Sequence, residues 1–103
     1  MTSAVVFAYH NVGVTCLRVL LRHGIDVKRV VTHADQPGEN IWFESVAALA
    51  AEAGIPVSIP DDPNRAEFVA DIAALKPDFL FSFYYRQMLS PDLLAIAPRG
   101  AFN

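Results

Sequence analysis

Four stretches hold most of the side chains in this sequence that can do chemistry: Tyr9-His10-Asn11, Thr32-His33, Tyr84-Tyr85-Arg86-Gln87-Met88-Leu89 and Asn103. An imidazole exchanges a proton near neutral pH. A phenol ring stacks on a flat ligand and keeps a polar tip, and a guanidinium neutralises a phosphate or carboxylate. A fixed carboxamide N–H stabilises an oxyanion as it forms. Each residue also has a plain reading: His10 and His33 as loop histidines bonded to backbone, one of Tyr84 and Tyr85 packed inward with the other over the sheet edge, and Arg86 as a solvated arginine at a strand end. His23, beside Arg22 near a helix end, is most simply a partner for the helix dipole. The three histidines share no metal-ligand spacing and no cysteine pair accompanies them, so no metal is expected.

What places these stretches together is the alternation of elements. Residues 5–8 form a short, continuously apolar run, as a central parallel strand does when both faces are covered. Val14, Leu17, Leu20 and Leu21 recur at helical spacing over residues 14–23, and Gly24 supplies the stop. Residues 27–32 read as a second strand, and Asp35, Pro37 and Gly38 then give loop chemistry. Residues 41–53 are helix formers that end at Gly54, with Trp42 and Phe43 opening the core face, and residues 57–59 are a third strand. Asp62-Pro63 reads as a cap with proline at the first helical position, ahead of Phe68, Ile72 and Leu75 on one face; Pro77 closes that helix. Residues 79–85 make a fourth strand, Ser90-Pro91 repeats the cap signal, and residues 101–103 look like the start of a fifth. The pattern predicts a Rossmann-like, doubly wound α/β parallel sheet with strand order 3-2-1-4-5.

In such a sheet, ligands bind beyond the carboxyl ends of the strands, where the order reverses, and all four reactive stretches fall on that edge. A dinucleotide would need a glycine-rich turn after the first strand. The turn here, Tyr9-His10-Asn11-Val12-Gly13, has one glycine behind bulky side chains, which disfavours a nicotinamide cofactor although Asp35 stands where a ribose-binding acid could be.

Composition narrows the classes further. The chain has 103 residues, enough for one core, with 53% hydrophobic and 18% charged residues, which excludes disorder. A net charge of -3 with scattered Lys and Arg disfavours sequence-independent nucleic-acid binding. The lone Cys16 reads as a small buried hydrophobe in a reducing compartment, and the start resembles neither a signal peptide nor a membrane span. A cytoplasmic protein with small-molecule partners is expected. If nothing followed Asn103, the apolar fourth strand would stand at a sheet edge, so the reading is of a partial domain.

The stretches Val5 to Gly13, Thr32 to Glu39, Phe81 to Arg86 and Ala97 to Asn103 resemble UDP-4-amino-4-deoxy-L-arabinose formyltransferases, of the methionyl-tRNA formyltransferase-like family, over the whole chain. The resemblance implies transfer of a formyl group from 10-formyltetrahydrofolate to the 4-amino group of the sugar nucleotide, a step in lipid A modification. Residues 1–103 would be the front, folate-binding part of that domain. Gln87, Met88 and Leu89 match the family's folate-contacting positions, and Asn103 matches its catalytic asparagine. Its catalytic histidine, two positions later, and its more distant aspartate would follow Asn103, so these residues alone are expected to be inactive. His10, Tyr84, Tyr85 and Arg86 are candidate substrate contacts. In this family the domain is often fused to a dehydrogenase, through which copies could associate. Alternatives that stay open are a methionyl-tRNA or another amino-sugar acceptor, and a non-catalytic nucleotide- or folate-binding α/β module.

Overall fold

A strand that begins almost at the N-terminus and carries no polar residue after Ser3 can be stable only where helices cover it on both sides. In the computed structural model, which describes residues 2–33 and 45–102, β1 (Ser3–Ala8) is buried along its whole length. There follow α1 (His10–Arg22), β2 (Asp26–Val31), α2 (Val46–Glu52), β3 (Val57–Ser58), α3 (Ala66–Ala74), β4 (Phe79–Phe83), α4 (Pro91–Leu94) and β5 (Ala101–Phe102). The strands form one parallel sheet in the order β3-β2-β1-β4-β5, as the sequence predicts.

The alternation of β1 divides the core in two. Val6 and Ala8 pack with Val14 and Leu17 of α1 and with Val46 and Ala50 of α2. Val5 and Phe7 face the other way, onto Ile72 of α3, Leu80 of β4 and Leu93 of α4. Burying a side chain such as Val5 or Phe7 stabilises by about 1.5–3 kcal/mol. Gly13 lies inside α1 rather than in a turn. A Cβ there would stand 3.0 Å from the Ala8 Cβ and 3.1 Å from the Val46 Cγ2, so its smallness lets α1 approach β1 and α2 closely.

β2 contains one residue more than β1 opposite it: Ala4 pairs with Val27 but Val5 pairs with Arg29, which makes Lys28 a bulge. The bulge inverts the alternation, so Val27 and Val30 both face the α1 side while Val31 faces the α3 side. Arg29 is thereby aimed at the α3 side, where its Nη1 donates to Asp71 Oδ2 of α3 at 3.0 Å and to Ser58 Oγ of β3 at 2.9 Å.

Several boundaries differ from the sequence reading, each for a local reason. α1 starts at His10, not near Val14, because His10 itself turns the chain with a φ of 64°. Asp62-Pro63 does not open α3: the Asp62 carboxylate accepts the Asn64 N–H at 2.9 Å in an Asx turn, and α3 begins at Ala66. β4 stops at Phe83, because Tyr84 takes a φ of 61°. Cys16 is half-buried rather than a core residue. The fifth strand expected from residue 101 is present and covers β4: Leu80 and Phe81 pair with Ala101 and Phe102 of β5. Ser90 does cap α4, accepting the Leu93 N–H at 3.2 Å. Residues 41–44 of the predicted second helix, including Trp42 and Phe43, lie outside the described residues, as do Asp35 and Asn103. No helix among the described residues is long and apolar enough to cross a membrane.

The amino ends of β1 and β4 are locked by one carboxylate. Asp78 Oδ2 accepts the Ser3 N–H at 2.9 Å and the Ser3 hydroxyl at 3.3 Å, while the Asp78 N–H donates to the Ser3 carbonyl at 3.0 Å. The Ser3 N–H foremost, then the Ser3 hydroxyl, Arg99 and the N-terminal charge, hold this carboxyl below its usual 3.8 against an opposing effect of burial. A depressed folded-state value means that the unfolded chain binds the proton first, so this contribution is complete above 3.8 and is lost as pH falls through the lower folded-state value. Asp78→Asn should therefore melt at a lower temperature than the wild type at neutral pH, and the gap should close on acidification. Thermal denaturation of both proteins across this range is the check; a gap independent of pH would mean that the charge does not contribute.

Candidate functional site

β1 and β4 run side by side in register, Ala4 to Ala8 against Phe79 to Phe83, and after them the chain leaves in different directions. This is the point where the strand order reverses. The Tyr9 N–H extends the pairing by one more bond, 3.1 Å to the Phe83 carbonyl. Immediately beyond, His10 and Tyr84 both adopt left-handed backbone conformations, which cost non-glycine residues about 1–3 kcal/mol each. Their rings approach to 5.5 Å between centroids, tilted by 46°, and Tyr84 is 59% exposed. Two strained exits from adjacent strands thus present an imidazole and a phenol together at the head of the sheet.

On the α3 side of the same edge, the rings are more enclosed. His33 stacks on Tyr85 at 4.3 Å and 19°, and Tyr9 meets His33 edge-on at 5.3 Å. Phe7 closes against Tyr85 from below, also edge-on, at 5.4 Å. The Arg86 guanidinium lies over the Tyr9 ring, 4.8 Å from its centre, a cation–π arrangement worth about 0.5–1 kcal/mol at an exposed position. The Arg86 backbone N–H donates to His33 Nε2 at 3.1 Å. Burial foremost, then the Asp62 charge, push the Tyr85 phenol up to about 12, so it stays neutral. Its hydroxyl, like that of Thr32, is buried with no hydrogen-bond partner among the described residues.

A cavity of about 400 Å³ opens between the loop after β4, α4 and β5. Its walls are Tyr85, Arg86, Gln87, Met88 and Leu89 from the loop, Leu94 from α4, and Leu80, Phe81, Ser82, Ala101 and Phe102 from the strands. The volume suits a compact ring system, and the mixture of apolar walls with a few polar groups is usual for such sites. Gln87, Met88 and Leu89, read from the sequence as cofactor contacts, all line it, as do Tyr85 and Arg86. Met88 is 89% exposed. The Gln87 side-chain N–H is engaged by the Asp61 carbonyl at 3.2 Å. His10 and Tyr84 sit outside the cavity, at the β1 and β4 exits. His23 is the C-cap of α1 and does not line the cavity. Asn103 lies outside the described residues, and among those residues no three His, Cys, Asp or Glu side chains gather as metal ligands would.

Sequence reasoning does not find Asn64. Its side-chain Nδ2 donates to the Met88 carbonyl at 2.8 Å, and its Oδ1 accepts the Ser90 N–H at 2.6 Å. One carboxamide therefore clamps both sides of Leu89 and sets the shape of the cavity wall. The only local signal is the Asx turn formed by Asp62, which orients Asn64 but says nothing of a partner more than twenty positions away.

Asn64→Ala should cost about 1 kcal/mol in chemical denaturation, since a net intramolecular hydrogen bond is worth about 0.5–1.5 kcal/mol. The sharper effect is local: the Ser90 amide should exchange with solvent on the order of tenfold faster, while amides of β1 keep their protection. Equal exchange in both proteins would remove Asn64 from the site.

No family model matches the chain. Among solved structures, a glycinamide ribonucleotide transformylase from Symbiobacterium toebii superposes with a TM-score of 0.65 at 20% sequence identity, over 98% of this chain and 50% of that one. The phosphoribosylglycinamide formyltransferase of Coxiella burnetii, solved in complex with CHES, gives 0.59 at 17%, over 91% of this chain and 46% of that one. The chain thus spans about half the length of the solved structures it matches. At these identities the likeness is one of fold: a five-stranded parallel α/β sheet of the Rossmann-like kind, shared with two formyl-transferring enzymes.

Proposed function

We propose that this chain carries the donor side of a formyl-transfer site, in which the cavity beside Tyr85 to Leu89 takes the pterin end of 10-formyltetrahydrofolate. The observation that carries the reading is the position of that cavity, at the carboxyl end of β4 and next to the reversal of strand order, walled by the loop that resembles the family's folate contacts. Leu80, Phe81, Leu89 and Leu94 offer apolar walls for a flat ring. Ser82, Arg86 and Gln87 add polar groups to those walls. The fold shared with a transformylase and a formyltransferase supports the same reaction class.

In that reaction an acceptor amine attacks the formyl carbon, negative charge builds on the formyl oxygen, and the folate nitrogen departs with a proton. Asn103, on the resemblance, supplies the carboxamide N–H for that oxygen, a contribution of about 10²–10³ in rate. His10 and Tyr84 at the strand exits and Arg86 at the cavity wall are the side chains we assign to the arriving acceptor. The resemblance of Phe7 to His10 and of Ser82 to Arg86 favours UDP-4-amino-4-deoxy-L-arabinose as that acceptor, and with it a role in lipid A modification in the cytoplasm. A net charge of -3 speaks for a small acceptor over a tRNA.

The test is calorimetric titration of the chain with 5-formyltetrahydrofolate, a stable analogue of the donor. Saturable binding is expected, weakened about tenfold or more, equivalent to about 1.4 kcal/mol, by Met88→Glu, which sets a carboxylate at the cavity mouth. A folded chain that takes up no folate would overturn the reading. Formyl transfer by the whole enzyme to the amino-sugar nucleotide, compared with methionyl-tRNA, then decides the acceptor.

A further inference from the structure

We propose that His33 is a positioning residue for the cavity: an uncharged imidazole whose Nε2 accepts the Arg86 N–H and so holds the turn from Tyr84 to Gln87 against the ends of β1 and β2. The cavity's ligand is taken from the functional reading above; the positioning itself is independent of it.

The geometry is that of a latch across three strand ends. His33 follows β2, Tyr9 follows β1, and Tyr85 and Arg86 follow β4. The imidazole stacks on Tyr85, receives the Tyr9 ring edge-on, and accepts the Arg86 N–H at 3.1 Å, while the Arg86 guanidinium folds over Tyr9. Tyr85 and Arg86, the two residues fixed in this way, are also two walls of the cavity. A hydrogen bond accepted at Nε2 requires that nitrogen to be unprotonated. On protonation, an N–H would face the Arg86 N–H, and a second positive charge would join the guanidinium.

The titratable and charged groups around His33, among the described residues, are the Tyr9 phenol from the β1 end and the Tyr85 phenol and Arg86 guanidinium from the loop after β4. His10 and Tyr84 lie one ring further out, and Asp62 acts on Tyr85. Burial foremost, then the Arg86 charge, lower the proton affinity of the imidazole below its ordinary 6.5. The latch is therefore closed at neutral pH and opens on the acid side of that value.

Two substitutions separate this role from simple ring packing. His33→Phe keeps a stacking ring and removes the acceptor, whereas His33→Gln keeps an acceptor and removes the titration. In the ligand-free chain, the expected result is an Arg86 amide protected from hydrogen exchange at neutral pH, relative to the intrinsic rate. Protection should fall about tenfold as the His33 imidazole resonances titrate. In His33→Gln it should persist to lower pH, and in His33→Phe it should be lost at every pH. Arg86 protection that ignores both His33 protonation and the Phe substitution would overturn the proposal. Should His33→Phe not fold, the wild-type titration and His33→Gln still decide it. Titration with 5-formyltetrahydrofolate forms the second arm, where His33→Phe should raise Kd about tenfold. Exchange behaviour as expected with no folate uptake by any of the proteins would uphold the latch and reject the donor-site reading. Folate uptake with Arg86 exchange indifferent to His33 would do the reverse.

Discussion

The parallel pairing of β1 with β4 governs what the rest of the molecule can do. β1 is buried on both faces, so any polar group along it would lose its water without compensation. Its polar neighbours can appear only where the strand ends. At the amino end, Ser3 and Asp78 satisfy each other. At the carboxyl end, the Tyr9 N–H finishes the ladder on Phe83, and the chains then separate. The aromatic and charged residues of the candidate site are concentrated there because it is the first place where burial no longer forbids them. The strain of His10 and Tyr84 follows from the same constraint, since two adjacent strands must turn away within a single residue of their last shared bond.

Much of this was legible from residue order. The apolar run at Val5, the glycines after helices and the Ser90-Pro91 cap mark elements whose alternation admits few topologies, and the observed order is the expected one. Placement of Gln87, Met88 and Leu89 at a cavity follows from their position after the fourth strand. What composition does not encode is the conformation of single residues. Nothing in a histidine or a tyrosine announces a positive φ, so the start of α1 and the end of β4 both fell at other residues than expected. Asp62 has two uses, helix cap and Asx turn, and only the packing of α3 selects between them. Asn64 and His33 act through partners in distant segments, a relation that local spacing does not contain.

The site divides by polarity. Toward α4 and β5 lies a cavity whose apolar walls carry a few polar groups, suited to enclosing a flat ring. Toward β1 lie an imidazole, a phenol and a guanidinium, suited to a charged or hydroxyl-rich molecule. Tyr85 and Arg86 belong to both regions. Held by ring contacts on one side and facing the cavity on the other, they join the strand ends to the cavity wall.

The bulge at Lys28 bears on how such a sequence can vary. Past it, Arg29 and Val31 face α3, and the same alternation carries His33 onto the face of Tyr85 and Phe7. Were the pairing with β1 to run straight through Lys28 with no bulge, Val27 would still oppose Ala4, yet every side chain from Arg29 onward would fall on the opposite face. The imidazole would then point toward α1 and α2, and Arg29 would be driven into an apolar layer. The bulge thus acts as a reading frame for the sheet edge: substitutions within β2 alter one contact, whereas ironing out the bulge while its extra residue remains rewrites which face carries the chemistry. Homologous chains that keep the stacked histidine should therefore keep the bulge together with its extra residue, or lack both.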